Sequence, residues 1–129
     1  MLWQAGRTFD ATTDAPTAAR HFVDECLRSW GLAMEIERIA LAVSELVTNA
    51  VTHGRGPVAL TLGANDDRIR VDIEDQGGGA PVLPPADPQH RGAGGWGLRL
   101  VDALADDWGI DTHGQGTTVW FEHRLPQLT

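Results

Sequence analysis

The strongest pattern of apolar and polar residues lies in residues 35–53 and predicts an amphipathic helix. In a helix, residues three and four positions apart share one face. A broad apolar stripe follows this spacing and comprises Ile36, Ile39, Ala40, Val43, Leu46, Val47 and Ala50. Glu45, Asn49 and His53 recur every four residues and form a polar line, about 80° wide, beside that stripe. Because asparagine is a poor helix former, this polar line suggests a role outside helix propensity.

Two further segments have helical patterns. One opens at residues 14–16, where Pro16 suits the first turn, and Gly31 supplies its end. The other covers residues 97–105, where Leu98, Val101 and Leu104 have helical spacing. The sequence therefore predicts three helices.

Alternating apolar residues predict a hairpin, and β-forming residues predict further strands. Residues 58–62 and 69–73 alternate with a period of two, and the turn residues 65–67 join them as a hairpin. Further strands are predicted at residues 7–9, 108–110 and 117–122. Short connections favour antiparallel pairing. We therefore expect an α+β fold, a two-layer sandwich with three helices on one face of a mixed, mostly antiparallel sheet.

The chain length and one proline- and glycine-rich segment set the domain organisation. At 129 residues the chain is most simply one domain, residues 1–129. Residues 80–96 contain Pro81, Pro84, Pro85 and Pro88 with few apolar residues. A loop of this length is uncommon in a compact domain and is usually functional or disordered, so we expect a lid loop there.

Composition excludes several classes of protein. A net charge of −8 argues against nucleic acid as a partner, and all ten basic residues are arginine. Without lysine, neither a P-loop nor a eukaryotic-type protein kinase site can be built. No apolar run long enough for a membrane span and no signal-peptide pattern are found. With Cys26 as the single cysteine, these features lead us to expect a cytoplasmic protein.

Three glycine-containing segments carry candidate chemistry. Asp75 ends a predicted strand and is followed by glycines that let a flat ligand approach the backbone. The carboxylate of Asp75 can accept a hydrogen bond from an exocyclic amine such as that of adenine. Residues 92–98 are glycine-rich and open a helix, an arrangement typical of phosphate binding. Residues 116–118 form a third, weaker segment at the start of the last strand.

In order along the chain, these motifs resemble the four boxes of the GHKL ATPase superfamily, whose nucleotide pocket is the Bergerat fold. They are Glu-x-x-x-Asn, Asp-x-Gly-x-Gly, Gly-x-Gly-Leu and Gly-Thr. The resemblance extends from about residue 9 to residue 125. Residues 44–53 and 95–101 look most like the bacterial anti-sigma-factor serine kinases and their stand-alone relatives.

The resemblance implies a role for each matched residue. Glu45 would orient the attacking hydroxyl and accept its proton, and Asn49 would bind the Mg²⁺ that bridges the phosphates of ATP. Asp75 would bind the adenine amino group, and Thr117 would lie near the adenine. The glycine boxes would shape the adenine floor and cradle the phosphates, through Gly77, Gly79, Gly95, Gly97 and Leu98. His53 would either face the phosphates or cap the end of its helix.

Several functions stay open from sequence alone. The first is a Mg-ATP-dependent protein-serine kinase that phosphorylates an anti-sigma-factor antagonist and sequesters a sigma factor. The second is a binding module in which ATP switches affinity for a partner without turnover. The third is the ATP-binding half of a histidine kinase, for which no preceding dimerisation helix is seen. A homodimer formed through the N-terminal strand is also an open alternative.

Overall fold

The fold is taken from a computed structural model that describes residues 2–77, 95–114 and 116–126, with only the backbone of residues 95–98. Within these ranges, three α-helices and five strands follow one another, with a 3₁₀ turn, Ala33–Glu35, before the second helix. In chain order they are β1 (Trp3–Phe9), α1 (Ala15–Ser29), α2 (Ile36–His53), β2 (Val58–Ala64), β3 (Arg68–Asp75), α3 (Gly95–Leu104), β4 (Asp107–His113) and β5 (Gly116–Arg124).

The strands form one sheet in the order β1-β2-β3-β5-β4. Every pairing within the described part of the chain is antiparallel, so the parallel component that we expected is not seen there. The reason lies in the last two strands: α3 leads the chain to β4 at the edge, and β5 returns between β3 and β4. The α+β class, with three helices packed on the sheet, is confirmed.

Each predicted element is present, with shifted ends. Asp14 is the N-cap residue of α1, and Pro16 lies in its first turn. Gly31, just beyond α1, has a φ of 77°, a conformation that glycine adopts without steric cost. The helix α3 begins at Gly95, inside the last two residues of the predicted lid loop, and residues 80–94 lie outside the described ranges.

The hydrophobic core lies between the helices and one face of the sheet. The strand β2 shows the pattern clearly, since its buried residues alternate with half-buried ones. The largest fully buried side chains come from both layers and are Phe121, Leu27, Ile39, Leu60, Leu62, Ile69, Val23, Val43, Val47, Val58, Val71 and Val101. Burying aliphatic and aromatic surface at this density supplies the main driving force for folding.

The other face of the sheet is polar. On it, Arg70 contacts Asp72 at 3.0 Å and Glu122 at 3.2 Å, and Arg68 contacts Glu122 at 2.8 Å. The guanidinium carbon of Arg70 also lies 4.5 Å from the centre of the Trp120 ring. The hydrogen bond to Asp72 is the main cause of the raised pKa of Arg70. In the described residues, no helix is long and apolar enough to cross a membrane.

Candidate functional site

The helix α2 separates a buried face from a polar one, as its sequence predicts. Its buried residues are Ile39, Ala42, Val43, Leu46, Val47 and Ala50. Glu45 and Asn49 lie next to this face and are half-buried, and His53 is the exposed last residue of the helix. Since residues four apart are neighbours on a helix surface, Glu45 and Asn49 lie one turn apart on the same side. The core therefore fixes the position of the helix that carries both residues.

Asp75 is the last residue of β3, and the backbone that follows holds its carboxylate. The N–H of Gly77 donates a hydrogen bond to Oδ1 of Asp75 at 2.7 Å. Gly77 is buried and has a φ of 77°, which favours glycine at this position. Glycine is therefore favoured at position 77 because the turn that brings its N–H to Asp75 needs a positive φ.

Thr117 lies directly across the sheet from Asp75. The register of β3 and β5 pairs these two residues, and Thr117 is 7% exposed. Gly116 is also close, because a Cβ added there would lie 3.2 Å from the carbonyl oxygen of Asp75. The structure therefore brings together two of the predicted motifs, Asp-x-Gly-x-Gly and Gly-Thr, which are about forty residues apart in the chain.

The end of α2 is packed against the same carboxylate. A Cβ added to Gly54, the C-cap residue of α2, would lie 2.6 Å from Oδ2 of Asp75. The N–H of Gln76 donates a hydrogen bond to the carbonyl oxygen of Arg55 at 3.0 Å. A Cβ on Gly56 would lie 2.6 Å from the side-chain oxygen of Gln76. The loop after α2 and the loop after β3 are thus fitted together.

The sequence pattern does not predict the contact between Gly54 and Asp75. Gly54 has a φ of −93°, which any residue can adopt, so its backbone conformation does not require glycine. The need for glycine arises from the space occupied by Asp75. A long-range contact of this kind leaves no local pattern in the sequence.

The structure describes only part of the segment that is predicted to bind phosphate, residues 92–98. The helix α3 begins at Gly95 and contains Gly97 and Leu98, as the sequence predicts, and it packs against α2. The first N–H groups of an α-helix have no partner within the helix, which is why helix N-termini commonly bind anions. Gly79 lies outside the described ranges, and its place on the adenine floor stays a prediction.

A second polar cluster lies at the other end of β5. Nε2 of the buried residue His123 is 2.8 Å from Oε2 of Glu35, and its Nδ1 is 3.6 Å from Oδ2 of Asp106. His123 lies six positions after Thr117 along the strand, which corresponds to about 20 Å. This cluster therefore joins β5 to the start of α2 and to the α3–β4 connection, away from Asp75.

The end of the central strand β3 carries a carboxylate between glycines, beside a helix with a polar line, an arrangement that suits a nucleotide-binding domain. A family model described as "Histidine kinase-like ATPase domain" matches residues 9–122. The chain belongs to this family. The description implies use of ATP, and the resemblance to the GHKL superfamily is confirmed.

Named relatives agree with this assignment. "Serine-protein kinase RsbW" of Bacillus subtilis (strain 168) is 35% identical over 100 residues, which cover 66% of this chain and 62% of the relative. The protein of the same name from Bacillus velezensis is 34% identical over the same shares of both chains. The match thus spans less than two thirds of the length of these relatives.

One solved structure is similar over nearly the whole chain. It is described as the RsbU and RsbW domains of Rv1364c from Mycobacterium tuberculosis. The two structures match with a TM-score of 0.72 and 28% sequence identity, over 95% of this chain and 32% of that one. The fold described above is therefore that of a known domain.

Proposed function

We propose that this chain is an ATP-dependent protein-serine kinase of the anti-sigma-factor type. It would bind Mg-ATP, transfer the γ-phosphoryl group to a serine of an anti-sigma-factor antagonist, and sequester a sigma factor. The observation that supports this proposal best is the order of groups along α2. Asp75 lies against the end of the helix at Gly54, Asn49 lies further back along the axis, and Glu45 lies one turn beyond. Adenine, metal-bound phosphates and an attacking hydroxyl would follow in the same order.

Asp75 is proposed to recognise adenine. Its Oδ1 accepts the N–H of Gly77, which fixes the carboxylate in one orientation. A carboxylate has further lone pairs, so it can also accept from the adenine amino group. Guanine presents a carbonyl oxygen at the corresponding position, which a carboxylate would repel. Thr117, the cross-strand partner of Asp75, would complete this end of the site, with Gly77 and Gly79 forming its floor.

Asn49 is proposed to hold Mg²⁺. No group of three or more metal-ligating His, Cys, Asp or Glu residues is found in the described ranges, so these residues offer no cage for a metal. This fits Mg²⁺, which keeps several waters and uses one or two protein oxygens together with substrate phosphates. When bound, Mg²⁺ supplies charge neutralisation on the phosphates. The half-buried carboxamide of Asn49 would orient this ion beside α2.

Glu45 is proposed as the general base. The serine oxygen attacks the γ-phosphorus and forms a new P–O bond, while the bond to the β–γ bridging oxygen breaks and ADP leaves. The proton of the hydroxyl passes to the carboxylate of Glu45. Phosphoryl transfer depends mainly on positioning and charge neutralisation, and a placed base adds to these effects.

The start of α3 is proposed to bind the phosphates through Gly95, Gly97 and Leu98. Free N–H groups and the helix dipole favour an anion there, which matters in a chain that has no lysine. His53 ends α2 and is exposed, so it can either approach the phosphates or interact with the helix end. The edge strand β1 leaves backbone groups on one side without a strand partner in the described sheet, which supports a homodimer.

The test is a separation of binding from transfer. Glu45→Ala should keep Mg-ATP affinity within a few-fold and slow phosphorylation of the antagonist by about 10²–10⁴-fold. Glu37→Ala, an exposed glutamate in the first turn of the same helix, is the matched control. Radiolabel transfer and calorimetry measure the two properties. Parental transfer by Glu45→Ala would exclude this role and make His53 the next candidate. Partner binding that responds to ATP without any transfer would instead support the switch module.

A further inference from the structure

We infer that Gly54 is a positioning residue for nucleotide recognition, because it provides the space in which the carboxylate of Asp75 is held. This inference rests on the proposed role of Asp75 in binding adenine. It assigns to the loop after α2 a part in nucleotide specificity that none of the four motifs includes.

Gly54 and Asp75 are packed so closely that a side chain on Gly54 would not fit. A Cβ on Gly54 would lie 2.6 Å from Oδ2 and 2.7 Å from Cγ of Asp75, closer than real Cβ contacts. The carboxylate cannot simply turn away, because its Oδ1 is bound by the N–H of Gly77 at 2.7 Å. The hydrogen atom of Gly54 and the N–H of Gly77 therefore fix the carboxylate from two sides.

The backbone on both sides of this contact is held by hydrogen bonds. The N–H of Gly54 donates to the carbonyl oxygen of Ala50 at 2.9 Å, and the N–H of Gln76 donates to that of Arg55 at 3.0 Å. The first bond closes the last turn of α2, and the second joins the loop after α2 to the loop after β3. The closeness of Gly54 and Asp75 is thus imposed by the fold, and a larger side chain would have to displace either the carboxylate or the helix end.

A rival explanation is that Gly54 only terminates α2. A Cβ there would also lie 2.6 Å from the carbonyl oxygen of Ala50, so a substitution disturbs the helix end as well. The φ of −93° argues against a purely conformational requirement. The two explanations differ in one respect. If Gly54 positions Asp75, a substitution of Gly54 should no longer affect nucleotide affinity once the carboxylate of Asp75 has been removed. If Gly54 only terminates α2, the effect should remain.

The experiment is a double-mutant cycle of Gly54→Ala and Asp75→Ala, read by the affinity for ADP. We expect Gly54→Ala alone to weaken ADP binding by about 10- to 100-fold, the range for losing one hydrogen bond to a charged group. In the Asp75→Ala background, the same change should alter affinity by less than about twofold, the usual scatter of independent effects. Gly63→Ala is the matched control, since a Cβ there comes no closer than 3.7 Å to another atom.

The outcomes separate the two proposals. Parental ADP affinity in Gly54→Ala overturns the positioning role, and so does an equal loss in both backgrounds. A parent chain that binds no adenine nucleotide overturns the proposed function itself. If Gly54→Ala does not fold, Asp75→Glu replaces it, because a longer side chain keeps the charge but does not fit between Gly54 and Gly77. ADP binding by Asp75→Glu at parental strength would then refute the inference.

Discussion

The sharpest prediction of the proposed site concerns Asp75→Asn, which keeps the shape of the side chain and changes its hydrogen bonding. In the protein, Oδ1 accepts the N–H of Gly77 and Oδ2 faces Gly54. An asparagine would place its carbonyl oxygen at the Oδ1 position, since only that atom can accept from Gly77. Its NH₂ group would then occupy the Oδ2 position and meet the adenine amino group donor to donor.

The magnitude follows from this arrangement. One hydrogen bond from adenine to a charged acceptor is lost, and two donors face each other at a half-buried position. Losses of this kind cost about 1–3 kcal/mol, which corresponds to roughly 5- to 150-fold in Kd. Guanine carries a carbonyl oxygen where adenine carries its amine. The NH₂ of the variant can donate to that oxygen, so the preference between ADP and GDP should narrow or reverse.

Calorimetric titration of ADP and GDP into the parent chain and into Asp75→Asn tests both the loss of ADP affinity and the change in preference between ADP and GDP. Asp111→Asn, which changes an exposed aspartate on the edge strand β4, is the control for the loss of one negative charge. Equal affinity of the parent chain for ADP and GDP would refute the assignment of Asp75. The same conclusion follows if Asp75→Asn binds ADP as tightly as Asp111→Asn does.

Three further predictions test the metal site, the core and the single thiol. Asn49→Ala should abolish the Mg²⁺ dependence of ATP binding, and the chain should stay folded because Asn49 lies beside the core face. If Mg-ATP titrates into the variant as it does into the parent chain, Asn49 is not the metal ligand. Phe121→Ala, at a site 2% exposed, should lower the free energy of unfolding measured in urea by about 3–5 kcal/mol. A loss below about 1 kcal/mol would contradict the close packing described around Phe121. Burial raises the pKa of Cys26, so alkylation at pH 8 should be slower in the folded than in the urea-unfolded chain, and equal rates would be inconsistent with this.

The helices and the hairpin could be predicted because each is determined by the spacing of apolar residues within its own segment. In α2, the apolar stripe has the helical period, and its buried residues are nearly those that the period selects. In the hairpin of β2 and β3, alternation identifies the buried face, and the side chain of Asn65 accepts the N–H of Asp67 and of Arg68 in the turn. Side-chain hydrogen bonds of this kind are the physical reason that asparagine marks turns.

The arrangement of the sheet could not be predicted in the same way. The β-forming residues of β4 and β5 predict two strands, but they do not predict which strands are neighbours in the sheet. The insertion of β5 between β3 and β4 makes the pairings antiparallel, and it places Thr117 opposite Asp75. The candidate site was predicted as four motifs in order along the chain, and only the sheet register shows that two of them are cross-strand neighbours.

The two ends of the proposed nucleotide site are therefore not independent. Asn49 and Glu45 stand on α2, whose position is set by the core, and Asp75 is fixed against the end of that helix at Gly54. Close-packed interiors transmit small displacements, so a shift of α2 would alter the metal end and the adenine end together. Substitutions at Asn49 and Asp75 should then give effects on nucleotide affinity that do not simply add, although the two residues are assigned to different parts of ATP.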